Sequence, residues 1–173
     1  MLSSVNPPKV ILRAMEPEDL DLLYQIENDT DLWDIGCTNV PYSRFVLREY
    51  IARATDDIFA DKQVRLIVEN GQGETVGIVD LVNYDPKHAR AEVGIVIRKA
   101  FRGRGYGRQA LLQLLDYGRR VVHLHQVFAF VGENNKVCHH MLQEVGFQES
   151  MTLKDWLQGS KGFEPAYLMQ YFF

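Results

Sequence analysis

A turn with three glycines joins a strand-like run to a helix-like run in the middle of the chain. Its sequence is Arg102-Gly103-Arg104-Gly105-Tyr106-Gly107, and the apolar run Glu92 to Ile97 precedes it. Glycine tolerates positive φ angles and lets a ligand approach the backbone closely. A helix that begins directly after such a turn directs free amides and the positive end of its dipole toward it. The pattern therefore predicts a phosphate-binding turn.

Two familiar phosphate loops do not fit this turn. Gly103, Gly105 and Gly107 lack the G-x-G-x-x-G spacing of a dinucleotide-binding turn. The next residues, Arg108 and Gln109, do not supply the Lys-Ser/Thr of a P-loop. A solvated surface turn is the alternative. We favour the phosphate site because the strand, the arginines and the helix occur together.

The composition is that of a globular protein, with 173 residues, 46% of them hydrophobic and 24% charged. It predicts a single domain over residues 1–173. A net charge of −4 offers no basic face for nucleic acid, and no apolar run is long enough to span a membrane. Cys37 and Cys138 have neither disulfide nor zinc spacing. We therefore expect a cytoplasmic protein without a metal.

The hydrophobic periods predict a mixed α/β fold with a mostly antiparallel central sheet and flanking helices. A strand at Val10 to Met15 is followed by one helix from Pro17 and another from about Ser43 to Ala54. Three strands then form a meander, at Val64 to Glu69, Thr75 to Val82 and Ala91 to Ile97. The rest is a helix after the glycine turn, a strand at Gln126 to Val131, a helix at Asn135 to Glu144, and two last strands.

The glycine turn resembles the Gln/Arg-x-x-Gly-x-Gly/Ala signature of the GNAT acetyltransferase superfamily. A second landmark agrees, because Glu133-Asn134-Asn135 precedes a helix that ends at Val145-Gly146-Phe147, similar to the family's Asn-helix-Gly-Phe segment. The order of elements matches that fold along nearly the whole chain, and the layout resembles the spermidine and diamine acetyltransferase branch. The resemblance implies an N-acetyltransferase that uses acetyl-CoA and acts on a small-molecule amine.

The same resemblance implies how the cofactor is held. Backbone groups of Ile95, Val96 and Ile97 would pair with its pantetheine arm, and Asn135 would contact it near the second of the two late helices. The family also splays two central strands, here Glu92 to Ile97 and Gln126 to Val131, with the thioester in the gap. Amides of the glycine turn would hold the pyrophosphate, namely those of Arg102, Gly103, Arg104, Gly105, Tyr106, Gly107 and Arg108.

Acetyl transfer to an amine requires a base, because an alkylammonium has a pKa of about 10.4. Glu92 is the first candidate and Asp80 the second, with a half-exposed surface carboxylate as the alternative reading of each. Many family members carry a tyrosine that protonates the departing sulfur, and Leu142 stands at that position here. Neither Cys138 nor Tyr106 is a clear substitute.

The acceptor is expected beside an acidic segment between the first two helices, where the family places acceptor-binding walls. Glu27, Asp31, Trp33 and Asp34 would attract a cationic amine such as a polyamine. A solvated acidic loop is the alternative, and Trp156 is a candidate for the opposite wall. A protein N-terminus, an aminoglycoside and an amino acid stay open as acceptors. So do a non-catalytic acyl-CoA sensor, a nucleic-acid binder that uses the arginines, and a homo-oligomer.

Overall fold

A seven-stranded mixed sheet organises the protein in the computed structural model, which describes residues 6–32 and 40–173. The strand order is β1-β2-β3-β4-β5-β7-β6. The bounds are β1 Val10–Ala14, β2 Val64–Asn70, β3 Thr75–Asp85, β4 Arg90–Ile97, β5 Gln126–Gly132, β6 Gln148–Gly159 and β7 Gly162–Phe172. Neighbouring strands in the described part pair antiparallel, except that β4 and β5 run parallel.

Helices flank the sheet on both sides. Their bounds are α1 Leu20–Glu27, α2 Arg44–Arg53, α3 Ile58–Asp61, α4 Tyr106–Tyr117 and α5 Lys136–Val145. Side-chain caps fix three of the starts. Ser43 Oγ accepts from the Val46 amide at 3.1 Å, Asp57 Oδ1 from the Phe59 amide at 2.9 Å, and Asn135 Oδ1 from the Cys138 amide at 3.2 Å. None of the helices in the described ranges is long and apolar enough to cross a membrane.

The strands direct alternate side chains to two faces, and each face has its own apolar core. On the first, called the α4 face, helices α4 and α5 pack through residues such as Leu114 and Leu142 against Val93 and Val127. On the second, called the α1 face, the core is Met15, Leu22, Leu23, Leu47, Ile67 and Ile78. The sheet residues of this second core belong to β2 and β3. Helices α1 and α2 therefore cover one end of the sheet and leave β5, β7 and β6 uncovered on that face.

The order of elements agrees with the prediction from the sequence, and so does the mostly antiparallel sheet. Helix α4 begins at Tyr106, within the glycine turn, and continues as a π-helical turn over Gly118–Val122. The first predicted helix starts with a 3₁₀ turn at Pro17–Asp19 before α1. Helix α3 was not predicted, because a single turn of helix leaves no hydrophobic period to recognise.

One ion network ties β1 to β2 and to the turn that precedes α1. The Arg13 guanidinium donates to Asp19 at 2.7 and 2.9 Å and to Glu69 on β2 at 2.7 Å. Burial alone would raise the pKa of the Asp19 carboxyl, but hydrogen bonds from Arg13 and from the Glu16 amide lower it. Asp19 therefore stays charged, and the network fixes the start of α1 against the sheet edge.

Gly77 on β3 provides a test of how tightly β3 and β4 pack. A Cβ atom at Gly77 would lie 2.2 Å from the Val96 carbonyl oxygen and 2.9 Å from Ile97 Cδ1. We expect Gly77→Ala to lower the free energy of unfolding by about 1–3 kcal/mol, the usual cost of overpacking. Chemical denaturation measures it. In the control Gly71→Ala the Cβ meets Lys9 at 3.4 Å, and an equal loss in both variants would contradict the assignment.

Candidate active site

A V-shaped gap opens between the two central strands. β4 and β5 pair at three register positions, Arg90 with Gln126, Ala91 with Val127 and Glu92 with Phe128. Beyond them, β4 stays paired with β3 as far as Ile97, and β5 stays paired with β7 as far as Gly132. The facing edges of β4 and β5 are therefore free to bind an extended ligand through backbone groups. The splay predicted for these strands is present.

The register shows which backbone groups face the gap. The Arg98 amide donates to the Val76 carbonyl at 2.9 Å across β3 and β4. Hydrogen-bonded positions alternate in an antiparallel pair, so the N–H and C=O groups of Val96 also point to β3. Those of Ile95 and Ile97 point the other way, into the gap. Of the three residues expected to bind the pantetheine arm, Ile95 and Ile97 thus have the suitable orientation.

The glycine turn has the backbone conformation that an anion site requires. Gly103 and Gly105 have φ angles of 73° and 83°, in the left-handed region that favours glycine. The first α-helical bond of α4 runs from the Gln109 amide to the Gly105 carbonyl at 3.1 Å. The amides of the first helical residues, from Tyr106 onward, therefore have no acceptor within the helix and point toward the turn.

Three arginines surround these amides. Arg102 Nε donates to the Ile97 carbonyl at 2.8 Å, which places its guanidinium at the open end of the gap. Arg104 lies over the Phe101 ring, 5.9 Å from its centroid, and Arg108 is exposed on the first turn of α4. Backbone donors, a helix terminus and nearby positive charge together fit a pyrophosphate.

Helix α5 borders the α4 face of the gap. Its cap, Asn135, commits its side-chain oxygen to the Cys138 amide and leaves its amide group to donate to a ligand. Leu142, at the position of the family's tyrosine, is 1% exposed within the apolar core. Burial raises the pKa of the Cys138 thiol to about 11. This thiol is a poor acid and a poor nucleophile at neutral pH.

Glu92 lies at the closed end of the gap and projects from the α1 face. Its position follows from the alternation of β4, since Ala91 and Val93 belong to the core of the opposite face. The Glu92 side chain is half-buried, and its Oε2 accepts a hydrogen bond from Asn83 Nδ2 at 2.7 Å. This bond fixes one carboxylate oxygen and leaves the other available to take a proton.

Asp80, the second candidate base, belongs to an ion cluster. Arg65 donates to its two oxygens at 2.8 and 3.2 Å and to Glu27 at 2.7 Å. Burial raises the pKa of the Asp80 carboxyl, and Arg65 opposes that effect. Burial likewise opposes the charge of Arg65, but the two carboxylates outweigh it and raise its pKa. The cluster lies against Gly94, where a Cβ would approach Asp80 Oδ2 to 3.2 Å.

The residues predicted to bind the acceptor are only partly brought together. Glu27, the last residue of α1, lies beside Asp80 through Arg65. Asp31 is exposed in a short helical turn, and its amide donates to Asp29 at 3.0 Å. Trp33 and Asp34 lie outside the described residues. Within the described ranges no three His, Cys, Asp or Glu side chains are arranged to hold a metal ion.

An aromatic strip on the α1 face was not assembled from the sequence. It consists of Phe128, Phe130 and Trp156, with ring centroids 5.6 Å apart for the first pair and 5.3 Å for the second. Val127 and Ala129 are buried in the other core, so both phenylalanines face the Glu92 side. Trp156 is 51% exposed. The alternation of Phe, Ala and Phe along β5 was the one pattern in the sequence that indicated two phenylalanines on the same face.

The arginine turn gives a first prediction for ligand binding. We expect Arg104→Met to weaken binding of coenzyme A about threefold to tenfold, because a charge-assisted contact to phosphate is lost. Binding of pantetheine, which has no pyrophosphate, should stay the same. Calorimetric titration measures both. Arg119→Met, an exposed arginine beyond the other end of α4, is the control, and equal effects of both variants would refute a local role.

The partly buried cysteine, Cys138, gives a second prediction. With a pKa of about 11, about one Cys138 thiol in a thousand is ionised near pH 8. In a Cys37→Ser background, we expect a thiol reagent to label Cys138 at the unfolding rate, and Cys138→Ala to keep activity within about twofold. Mass spectrometry and turnover assays measure these outcomes. Rapid labelling of the folded protein would show that the thiol is reactive.

Comparison with known proteins agrees with this geometry. The family model of the acetyltransferase (GNAT) domain matches residues 9–148. Spermidine N(1)-acetyltransferase of Escherichia coli K12 is 30% identical over 138 residues, 80% of this chain and 72% of the relative. A Vibrio cholerae spermidine N-acetyltransferase, in complex with CoA and spermine, has the same fold, with a TM-score of 0.86 and 24% identity over 95% of each chain.

A dodecameric structure of the Vibrio cholerae enzyme is also similar, with a TM-score of 0.81 and 25% identity over 95% of this chain and 94% of that one. The family model covers most of the present chain, including the strand gap, the glycine turn and helix α5. The predicted fold and the predicted cosubstrate, acetyl-CoA, are thereby confirmed. This chain belongs to the GNAT acetyltransferases and is an acetyl-CoA-dependent N-acetyltransferase.

Proposed function

We propose that this enzyme acetylates a primary amine of a polyamine such as spermidine or spermine. The strand gap carries the proposal, since Glu92 lies at its closed end and projects to the α1 face, while free backbone edges lead to the glycine turn. The Escherichia coli and Vibrio cholerae relatives, named for spermidine acetylation, support the choice of acceptor. A polyamine is also the kind of cation that carboxylates on this face attract.

The residues around the gap fit acetyl-CoA. When bound, it supplies an acetyl group activated as a thioester. The backbone groups of Ile95 and the amide of Ile97 would hold the pantetheine arm as an added strand, while the Ile97 carbonyl accepts from Arg102. The amides at the start of α4, with Arg102 and Arg104, would hold the pyrophosphate. These contacts orient the thioester without a catalytic side chain.

Glu92 acts as the base in this proposal. An acceptor ammonium, with a pKa of about 10.4, must lose a proton before its nitrogen can attack. Glu92 takes that proton, directly or through a water molecule, while Asn83 holds the carboxylate in place. The nitrogen then bonds to the acetyl carbon as the carbon–sulfur bond breaks, and its second surplus proton passes to solvent. Asp80 is less available for this role, because Arg65 engages both of its oxygens.

The departing sulfur receives no proton from residue 142, which is a buried leucine. A thiol has a pKa of about 8.5, so a thiolate can leave without an acid. General acids typically contribute about 10²–10⁴ in rate. We therefore expect slower turnover than in a relative with an acid at this position. The same leucine is the feature that raises the alternative of a sensor that binds acyl-CoA without catalysis.

Two assays separate the enzyme from the sensor. Thiol release from acetyl-CoA is followed with spermidine, spermine, an aminoglycoside, an amino acid and a peptide with a free N-terminus. Polyamines should raise release most. Binding of coenzyme A by calorimetry, together with thiol release that no acceptor raises above background hydrolysis, would favour the sensor and refute the enzyme.

We also propose that the chain forms a homo-oligomer. The Vibrio cholerae relative has a dodecameric structure. Helix α2 here exposes Phe45 and Val46 beside an open groove, the kind of apolar surface that often marks an interface. Light scattering on the purified protein measures the assembly, and a monomer at micromolar concentration would refute it. A cytoplasmic location stays a prediction.

The assignment of the base gives a prediction about pH. We expect Glu92→Gln to lower kcat/KM about 10²–10⁴-fold near neutral pH. The optimum should move upward, because deprotonation then depends on the acceptor amine itself, whose pKa is about 10.4. Rates measured from acidic to alkaline pH test this. An unchanged pH profile would remove Glu92 from the mechanism.

Asp80→Asn is the matched comparison, since Asp80 projects from the same face on the neighbouring strand. Loss of its charge leaves Arg65 with less compensation, and breaking a buried ion pair costs about 3–5 kcal/mol. We expect lower stability in denaturation with an unchanged shape of the pH–rate profile. The rate should fall toward acidic pH as the base becomes protonated. If this fall disappears in Asp80→Asn and persists in Glu92→Gln, Asp80 is the base.

A further inference from the structure

The aromatic strip begins at the closed end of the strand gap. Phe128 is the register partner of Glu92, at the last position where β4 and β5 pair. Phe130 follows two residues along β5, and Trp156 reaches over β7 to stack on it at 5.3 Å with an interplanar angle of 37°. The strip therefore leads from the proposed base across the part of the sheet that α1 and α2 leave uncovered.

A bulge in β6 positions Trp156 over Phe130. Leu153 pairs with Ala166 and Leu157 with Glu164, so β6 contains two more residues than β7 between these pairs. Asp155, directly before Trp156, has a φ of 49°, which is uncommon for a residue other than glycine. Bulges re-aim side chains at binding sites. Here the bulge places a large aromatic ring, half exposed, over Phe130, two residues along β5 from the closed end of the gap.

The chemistry of the strip matches one class of occupant. Aromatic faces attract cations and pack against methylene groups, so they suit an aliphatic chain that carries a second ammonium. Glu92, at one end, supplies a negative charge where the reacting amine must lie. A neutral apolar partner would gain nothing from that carboxylate.

We infer that Phe128, Phe130 and Trp156 bind the non-reacting part of the acceptor and select acceptors that carry a second ammonium. This inference rests on the proposed function. The acceptor then extends from Glu92 over β5 toward β6, and the acidic end of α1 is not its main binding surface. The strip sets substrate preference, while Glu92 sets the rate of proton removal.

The test compares spermidine with an analogue of equal length in which the non-reacting terminal amine is replaced by a hydroxyl group. Trp156→Leu and Phe130→Leu should lower kcat/KM for spermidine about threefold to tenfold, mainly through KM. Both variants should change kcat/KM for the analogue less than twofold. Trp156→Phe keeps an aromatic face and should restore most of the preference. Phe163→Leu is the control. Phe163 is an exposed aromatic residue of the same hairpin whose side chain lies on the opposite face of the sheet.

Each other outcome overturns the inference. Equal losses with both acceptors would indicate a structural role, and unchanged kinetics would exclude contact with the acceptor. A change of oligomeric mass in Trp156→Leu at unchanged substrate preference would assign the strip to an interface between copies. If the wild-type enzyme acetylates amines and the variants give one of these results, only the role of the strip is contradicted. Wild-type enzyme that acetylates no amine contradicts the proposed function as well.

Discussion

The hydrogen bonds that β4 and β5 do not form determine the rest of the site. Two central strands of a sheet normally satisfy each other's backbone groups, and these two stop after Glu92 and Phe128. Pairing with β3 and β7 on their outer sides holds them open, so the gap does not depend on a ligand to exist. The glycine turn, helix α5 and Glu92 all take their places from the direction in which the two strands diverge.

The separation of two faces follows from the same alternation of strand residues. The α4 terminus lies on one side of the sheet, the carboxylates and aromatic rings lie on the other, and the free backbone groups lie in the gap between them. Acetyl transfer requires the thioester and the acceptor amine to lie next to each other. The closed end of the gap, beside Glu92, is where both faces of the sheet are within reach. Arg65 contributes at a distance, because it joins the end of α1 to Asp80 and fixes the floor of the α1 face.

Local patterns made the fold and the cofactor turn predictable from the sequence. Glycines at φ 73° and 83°, the Asn135 cap and the hydrophobic periods are all properties of short segments. The contacts that change the chemistry join distant positions: Arg65 to Glu27 and Asp80, and Phe130 to Trp156. No local period predicts such a pair. The bulge in β6 also shifts the alternation on which a strand prediction depends.

The backbone groups of Ile95 and Ile97 that face the gap are main chain, which every residue possesses. Mutations along these strands can therefore exchange side chains without removing the groups that would grip the cosubstrate. An enzyme built in this way can diverge far in sequence and keep its fold, as a TM-score of 0.86 at 24% identity illustrates. The α1 face, where the acceptor is proposed to bind, consists of side chains, so each substitution there changes its chemistry directly. New acceptors can evolve there while the donor site stays constant.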